Sequence, residues 1–254
     1  MTLDLSNDYQ RQLCLGLYEP EIAKELFTLL RSEVLFIDVG ANIGYYTLLA
    51  SKLVGLYGHV LSFEADPANA NELRKNVLFN SCSNVTLFPK AVSDQAGKKK
   101  LVTGEHSVGS SLETADNAVQ RLGPTYVGST KKVIEVDAVT LDEKCLSVDI
   151  ERFCLRVLKI DIEGAEPLAL RGGQRLLRVL DAVIVEINDF MLKVHGFSPR
   201  DVLMAIWEAD FQVYPMIERR SMKALQTSAP IKNGNYLCLK SVRKHDSRAC
   251  GYPL

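Results

Sequence analysis

The stretch FIDVGANIGYYT, residues 36–47, contains the end of a predicted buried strand, a turn and the start of a predicted helix. The apolar run ends at Asp38, and Gly40, Asn42 and Gly44 separate it from a segment with helical spacing. An ordinary turn needs one glycine. Two glycines with polar residues between them let the backbone approach a ligand beside the unpaired N–H groups of a helix N-terminus. The pattern predicts a ligand-binding turn, and tight backbone packing is the alternative explanation.

Apolar runs and helical segments alternate on both sides of this turn. Five strands are predicted, at 34–39, 59–64, 84–88, 155–160 and 182–187. The first is a continuous apolar run, which is typical of a strand buried on both faces of a sheet. Helical segments follow most of these strands, at 44–54, 67–80, 166–178 and 198–210. Two further strands are predicted at 211–216 and 235–240. The alternation predicts a doubly wound α/β fold, in which helices cover both faces of a mostly parallel sheet.

The other segments add a lead-in before the first strand and an insertion in the middle. A helix with Pro20 in its first turn is predicted at 18–32, which makes the N-terminus a helical lead-in. Short strands at 98–103 and 131–136 flank a polar segment, 104–132, and indicate a β insertion with a long loop. We find neither an internal repeat nor a linker. We therefore predict one domain over 1–254, divided into a lead-in and a core: 1–32 and 33–254.

The composition is that of an ordinary globular protein. The chain has 254 residues, 47% apolar and 24% charged, and its formal net charge is −1. A charge this close to zero argues against a nucleic acid as partner. The first residues are polar and no apolar run approaches the roughly 18 residues of a membrane helix, so we expect neither a membrane partner nor a cleavable export signal. The six cysteines form no C-x-x-C pair, which predicts a cytoplasmic protein.

Polar side chains stand at the ends of the predicted strands, where ligands bind in open parallel sheets. They are Asp38, Glu64, Asp161, Glu186 and Asn188. A helix N-cap explains any one of them but does not explain the whole set. Glu64 lies twenty residues after Gly44, where an acid can accept both hydroxyls of a ribose. The ligand is therefore predicted to contain adenosine.

The glycine turn discriminates between two adenosine-containing ligands. A dinucleotide site reads G-x-G-x-x-G, whereas this turn reads G-x-x-x-G with Asp38 in front. An acid repels a pyrophosphate and attracts the ammonium of an amino acid, which favours S-adenosylmethionine over NAD. Asp161, Glu163 and Glu166 form a second acidic group after an apolar strand. Asp161 either caps the following helix or, near the sulfonium, holds the ammonium or accepts the proton of an attacking hydroxyl.

Seven motifs in this order resemble the FkbM-type methyltransferases: FIDVGANIGYYT, SFEADP, KAVSD, SVGSSL, VTLDE, LKIDIEGAE and VEIN. The resemblance covers about residues 18–214, and LKIDIEGAE is its most specific part. It implies a seven-stranded class I methyltransferase fold, similar to the Rossmann fold, with an antiparallel last strand. It also implies S-adenosylmethionine as methyl donor and O-methylation of a hydroxyl, on a sugar or a polyketide-like natural product. One departure is Glu64-Ala65-Asp66-Pro67, where the family often has Glu-Pro.

The resemblance also implies roles for individual residues. The methionine part of the donor would be held by Asp38, Gly40, Asn42 and Gly44. Glu64 would hold the ribose, and the adenine would lie near Ala91 and Val92. Asp161 and Glu163 would face the reacting centre.

A hydroxyl is a poor nucleophile at neutral pH, so a general base is expected beside the acceptor. The catalytic candidates are Asp161, then Glu186, then His106 in the polar loop. His195 is the other histidine candidate, and for both His106 and His195 a solvated loop histidine is the favoured interpretation. Mg²⁺ held by Asp161, Glu186 and Asn188 is open but not favoured, because the same residues serve without a metal.

Three other functions stay open at the level of sequence. An NAD-dependent oxidoreductase shares the sheet and Glu64 but needs the G-x-G-x-x-G turn. A methyltransferase that acts on nitrogen or nucleic acid shares the donor site. Many such enzymes have an Asn/Asp-Pro-Pro-aromatic turn where this chain reads Asp161-Ile162-Glu163-Gly164. A non-catalytic binding module keeps the fold but does not need the acids at the strand ends.

Overall fold

A computed structural model of the chain describes residues 1, 3–103, 110–112, 132–216 and 223–241, and the strands in these residues form two sheets. The central sheet contains β1 (Val34–Val39), β2 (His59–Phe63), β3 (Val85–Phe88), β8 (Leu155–Ile160), β9 (Ala182–Ile187), β10 (Phe211–Pro215) and β11 (Gly234–Lys240). A smaller sheet contains β4 (Ala91–Val92), β5 (Gly97–Thr103), β6 (Ser111–Leu112) and β7 (Lys132–Val139). The smaller sheet is the β insertion that the sequence predicts.

The central sheet has the strand order β10-β11-β9-β8-β1-β2-β3. β11 runs antiparallel to both of its neighbours, and the pairs from β9 across to β3 are parallel. The chain runs outward from β1 to β3 and later outward from β8 in the opposite direction. The carboxyl ends of β1 and β8 therefore form a switch point, where open α/β sheets bind ligands. The structure confirms an α/β fold with a mixed seven-stranded sheet.

Helices cover both faces of the central sheet. In the described residues they are α1 (Asp8–Leu15), α2 (Pro20–Leu29), α3 (Tyr45–Val54), α4 (Pro67–Phe79), α5 (Leu141–Cys145), α6 (Glu166–Arg171), α7 (Gln174–Val179), α8 (Asp189–Val194) and α9 (Pro199–Glu208). Helices α1 and α8, which the sequence does not predict, begin after asparagine caps at Asn7 and Asn188. Across the described ranges, none of the helices has the length and apolar character needed to span a membrane.

The single helix predicted over residues 166–178 is wrong, because the chain forms two short helices there. Gly172 and Gly173 separate α6 from α7. A Cβ at Gly172 would lie 2.2 Å from the backbone oxygen of Ser93, so the chain passes too close to the segment after β4 for any side chain. Two glycines in succession also lower helix propensity, which ends the first helix at this contact.

The alternation of side chains along the strands divides the core into two halves. Val34, Phe36 and Val157 lie in the half that α2 and α3 cover. Leu35 and Ile37 lie in the opposite half, which α6, α7 and α9 cover. The lead-in helix α2 is thus part of the core. It packs on the same face of the sheet as α3, the helix that follows the turn after β1.

Candidate active site

A cleft opens at the carboxyl ends of the central strands, between the smaller sheet and the N-terminal lead-in. It contains about 980 Å³, part of it open to solvent, which is enough for a nucleoside-sized ligand. The predicted site residues that line it are Gly40, Asn42, Glu64, Ala91, Val92, Asp161, Glu163 and Glu186. Asp38 and Gly44 do not line it, and His106 lies outside the described residues.

The turn after β1 is held against the end of β2 and the end of β8. The N–H of Gly40 donates to the carbonyl of Phe63 at 3.0 Å. Gly40 has a φ of +81°, and a Cβ there would lie 1.9 Å from the backbone oxygen of Asp161. Gly44 has a φ of +100°, and a Cβ there would lie 2.4 Å from Cδ1 of Leu73. The close backbone contact therefore requires a glycine at position 40, and the positive φ favours glycine at both positions. Gly40 also faces the cleft.

Glu64 follows β2 and faces the cleft with both carboxylate oxygens bound to backbone. Its Oε2 accepts from the N–H of Asn42 at 2.7 Å, and its Oε1 accepts from the N–H of Asp66 at 2.8 Å. Burial raises the pKa of Glu64 to about 7, although these backbone bonds oppose the rise. A carboxylate has about four lone-pair sites, so two further donors can bind. The group can thus accept two ribose hydroxyls.

Asp38 lies beneath the floor of the cleft and is fully buried. Its Oδ2 accepts from Oγ1 of Thr47 at 2.6 Å, and its Oδ1 has no hydrogen-bond partner within the described part of the chain. Asp38 is the register neighbour of Lys159 across the β1–β8 pair. Burial raises the pKa of Asp38, and the ammonium of Lys159 opposes this rise. A direct contact of Asp38 with a donor stays a prediction.

Lys159 is a residue of the cleft that the sequence reasoning missed. Only 2% of it is exposed, and its Nζ donates to Oδ2 of Asp161 at 3.2 Å. Burial lowers its pKa, but the carboxylates of Asp161, Asp38 and Glu19 outweigh burial and hold the pKa above its usual value. The sequence signal that could have revealed this residue is a lysine at a core-facing position of the apolar strand β8. The cleft floor therefore carries a buried ammonium between two acids.

Asp161 follows β8, and its carboxylate lines the cleft with 20% of the side chain exposed. It does not cap the next helix, because Ala165 is the N-cap of α6. Glu166 closes this turn instead, and its Oε1 accepts from the N–H groups of Ile162 at 3.0 Å and Gly164 at 3.2 Å. The capping alternative for Asp161 is therefore wrong, and its carboxylate faces the cleft.

Glu163 and Glu186 add two carboxyl groups near Asp161. Glu163 has a φ of +54°, which is uncommon for a residue other than glycine. Glu186 lies in β9, opposite Asn235 of β11. Burial raises the pKa of Glu186, and the charges of Asp161 and Glu163 raise it further. These effects favour the protonated form of Glu186 in the free protein, and this form can donate a hydrogen bond but cannot accept a proton.

The smaller sheet supplies an apolar wall opposite the acids. The wall is formed by Ala91, Val92, Leu101 and Leu112. Phe63 also lines the cleft and stacks on Phe88, with ring centroids 4.7 Å apart. Flat apolar surfaces of this kind suit the ring system of an adenine.

The expectation of a solvated loop histidine is wrong for His195, which is buried with 5% exposed. Its Nε2 lies 2.7 Å from Oγ of Ser111, and that hydroxyl donates to the backbone oxygen of Glu163 at 2.8 Å. Burial lowers the pKa of His195 to about 4. His195 therefore connects the end of α8 to the smaller sheet and to the turn that carries Glu163.

Asn188, a candidate magnesium ligand in the sequence, caps α8 and does not line the cleft. Its Oδ1 accepts from the N–H of Met191 at 3.3 Å. Within residues 1, 3–103, 110–112, 132–216 and 223–241, no group of three or more His, Cys, Asp or Glu side chains is arranged to hold a metal ion. Of the three candidate magnesium ligands, Asp161 and Glu186 are therefore the two that face the cleft.

Comparisons with known proteins identify one family. The family model described as Methyltransferase FkbM domain matches residues 38–213. Methyltransferase 1 of Beauveria bassiana (strain ARSEF 2860) is 26% identical over 204 residues, which cover 73% of this chain and 80% of that protein. The hexuronic acid methyltransferase AglP of Haloferax volcanii is 26% identical over 172 residues, which cover 68% of this chain and 61% of that protein.

A solved structure that matches this chain is the methyltransferase FkbM from Methylobacillus flagellatus KT, with 17% sequence identity and a TM-score of 0.45. The match covers 93% of this chain and 56% of that one. The family match spans most of the present chain and contains the glycine turn, Glu64 and Asp161. The chain belongs to the FkbM methyltransferase family and is a methyltransferase.

Proposed function

We propose that the protein binds S-adenosylmethionine in the cleft and transfers the methyl group to a hydroxyl of a small-molecule acceptor. The observation that carries the proposal is Glu64, whose two oxygens are fixed by the N–H groups of Asn42 and Asp66 at 2.7 Å and 2.8 Å. A carboxylate fixed in this way at the end of β2 accepts both hydroxyls of a ribose.

The rest of the donor follows from this anchor. The adenine packs against Ala91 and Val92 on the apolar wall, and the methionine part extends along the turn at Gly40 toward Asp161. The donor carries an ammonium, a sulfonium and one carboxylate, so its net charge is positive. The carboxylates that line the cleft stabilise that charge.

The reaction is an in-line displacement. The acceptor oxygen forms a bond to the methyl carbon while the carbon–sulfur bond breaks, and the sulfur keeps the electron pair as the neutral thioether of S-adenosylhomocysteine. The hydroxyl proton passes to a carboxylate. Much of the rate comes from the alignment of the three atoms, because the donor is already activated.

Asp161 is the proposed general base, because its carboxylate faces the cleft and Lys159 fixes its position at 3.2 Å. Glu186 is the second choice for the general base, because burial and the neighbouring acids raise its pKa and favour its protonated form in the free protein. In that form it donates a hydrogen bond to the acceptor and orients it.

A sugar or natural-product hydroxyl is the proposed acceptor, and the relative AglP, named a hexuronic acid methyltransferase, supports the sugar. Transfer to nitrogen or nucleic acid is less favoured, because the turn at Asp161 lacks the proline-rich pattern. Oxidoreductase chemistry is not favoured, because the chain belongs to a methyltransferase family.

Calorimetric titration tests the donor. S-adenosylmethionine and S-adenosylhomocysteine should bind, and NAD should not. The matched variants are Glu64→Gln in the cleft and Glu208→Gln on the exposed end of α9. Only Glu64→Gln should weaken the binding of S-adenosylhomocysteine. Tight NAD binding with no response to S-adenosylhomocysteine would refute the proposal.

A further inference from the structure

Four tyrosines line the cleft beside the proposed base, since Nζ of Lys159, which pairs with Asp161, lies 5.1 Å from the ring centroid of Tyr46. Tyr9 belongs to α1, Tyr18 precedes α2, and Tyr45 and Tyr46 begin α3. The ring centroids of Tyr9 and Tyr18 are 4.8 Å apart, and those of Tyr45 and Tyr46 are 4.9 Å apart. Tyr18 lies 6.4 Å from both Tyr45 and Tyr46, so the four rings form one contiguous cluster.

Glu19 fixes this tyrosine cluster to the core. Its Oε2 accepts from the hydroxyl of Tyr46 at 2.9 Å, and its Oε1 accepts from Nδ2 of Asn235 at 2.9 Å. Glu19 also has a φ of +39°, a conformation that costs free energy in a residue with a side chain. The two hydrogen bonds hold the backbone there, and Tyr18 is the preceding residue. The lead-in therefore presents its tyrosines in a set position.

The charges around the cluster are mostly negative. Among the described residues that line the cleft, the acids are Glu64, Asp161, Glu163 and Glu186, and the bases are Lys90 and Lys159. Glu186 adds no negative charge in its favoured protonated form, which leaves three carboxylates. Lys159 is already paired with Asp161 and lies beside Asp38. Lys90 is next to β4, on the adenine side. An acceptor at the tyrosine cluster therefore meets carboxyl groups, and an anionic acceptor is repelled.

Aromatic faces and a surplus of acids select for one class of molecule. Tyrosine rings pack against apolar C–H faces of a saturated ring, and their hydroxyls exchange hydrogen bonds with ring hydroxyls. On the basis of the proposed function, we propose that the tyrosine cluster is the acceptor subsite, that it binds an uncharged sugar ring, and that it discriminates against the corresponding uronic acid.

The first test compares paired acceptors on the enzyme saturated with S-adenosylhomocysteine. The probes are the methyl glycosides of glucose, galactose and mannose, each with its uronate, and binding is measured by ligand-observed NMR. At least one neutral glycoside should bind about tenfold more tightly than its uronate. Equal or tighter binding of the uronates, or no binding of any glycoside, would overturn the inference and leave the donor proposal standing.

The second test assigns the subsite to the lead-in. Tyr18→Ala should weaken the binding of the preferred glycoside about tenfold. Its affinity for S-adenosylhomocysteine should stay within about twofold of the wild-type value. Tyr57→Ala, at a tyrosine 76% exposed outside the cleft, is the matched control. Tyr18→Phe keeps the ring and guards against misfolding, and it should retain most of the binding. Unchanged glycoside affinity in Tyr18→Ala would overturn the assignment. Failure of the wild-type protein to bind S-adenosylhomocysteine would overturn the proposed function itself.

Discussion

Replacement of Lys159 by methionine should destabilise the protein strongly, because the ammonium compensates two acids of the cleft floor. Asp161 is 20% exposed at its side chain and can recover water contacts. Asp38 is fully buried, with one oxygen already lacking a hydrogen-bond partner among the described residues, so it cannot. Removal of one partner from a buried ion pair typically costs about 3–5 kcal/mol, and the partial exposure of Asp161 places the expected loss near 3 kcal/mol.

The loss is measured as the free energy of unfolding by urea denaturation, with Lys98→Met as the matched control. Lys98 pairs with Asp137, but both side chains are largely exposed, so this variant should unfold like the wild type. Domains of this kind have only about 5–15 kcal/mol of stability, and Lys159→Met can leave little folded protein. The double variant Lys159→Met/Asp38→Asn keeps the result interpretable, because the neutral amide removes the buried charge and should restore part of the stability.

The pH dependence of Lys159→Met follows from Asp38. Burial raises the pKa of Asp38 in the folded state above its value in the unfolded chain. The folded state therefore binds the proton more tightly, and stability falls as pH rises through the folded pKa. Without Lys159 this pKa rises further, so the stability loss should be smaller at pH 5 than at pH 8. A loss below about 1 kcal/mol at neutral pH, independent of pH, would refute the interpretation of Lys159 as the compensating charge.

Three other substitutions test the donor anchor, the base and the turn. Glu64→Gln should raise the dissociation constant of S-adenosylhomocysteine by roughly 10–150-fold. Because burial raises the pKa of Glu64 to about 7, wild-type affinity measured by calorimetry should fall as pH drops below that value, and the variant should not show this trend. Asp161→Asn should slow single-turnover methyl transfer about 10²-fold and leave the affinity for the donor nearly unchanged. Asp149→Asn, at an exposed residue, is the control. A wild-type rate in Asp161→Asn would show that another residue is the general base. Gly40→Ala should lower the free energy of unfolding by roughly 1–3 kcal/mol more than Gly55→Ala does. Gly55 also has a positive φ, but a Cβ there would lie within 4 Å of no other atom. Equal losses in the two variants would contradict the clash with Asp161.

Local patterns in the sequence predicted most of the elements and several of the residues that line the cleft. The strand at 34–39, the turn at Gly40 and the acid at Glu64 are encoded within short stretches, because a continuous apolar run, a glycine and a strand-end acid each depend on near neighbours. The alternation of strands and helices was enough to predict the α/β class. Where local signals are weak the prediction failed, as at the helix that Gly172 and Gly173 divide in two.

Long-range packing brings the side chains of the cleft together. Glu19 and Asn235 are 216 residues apart and become hydrogen-bond partners because α2 covers the face of the sheet on which β11 presents Asn235. Asp38 and Lys159 meet because β1 and β8 are adjacent and in register. The sequence predicts that Asp38 holds the donor, and the structure buries its side chain beneath the cleft floor beside Lys159, which lines the cleft. Strand order and register are set by long-range packing, and no local pattern contains them.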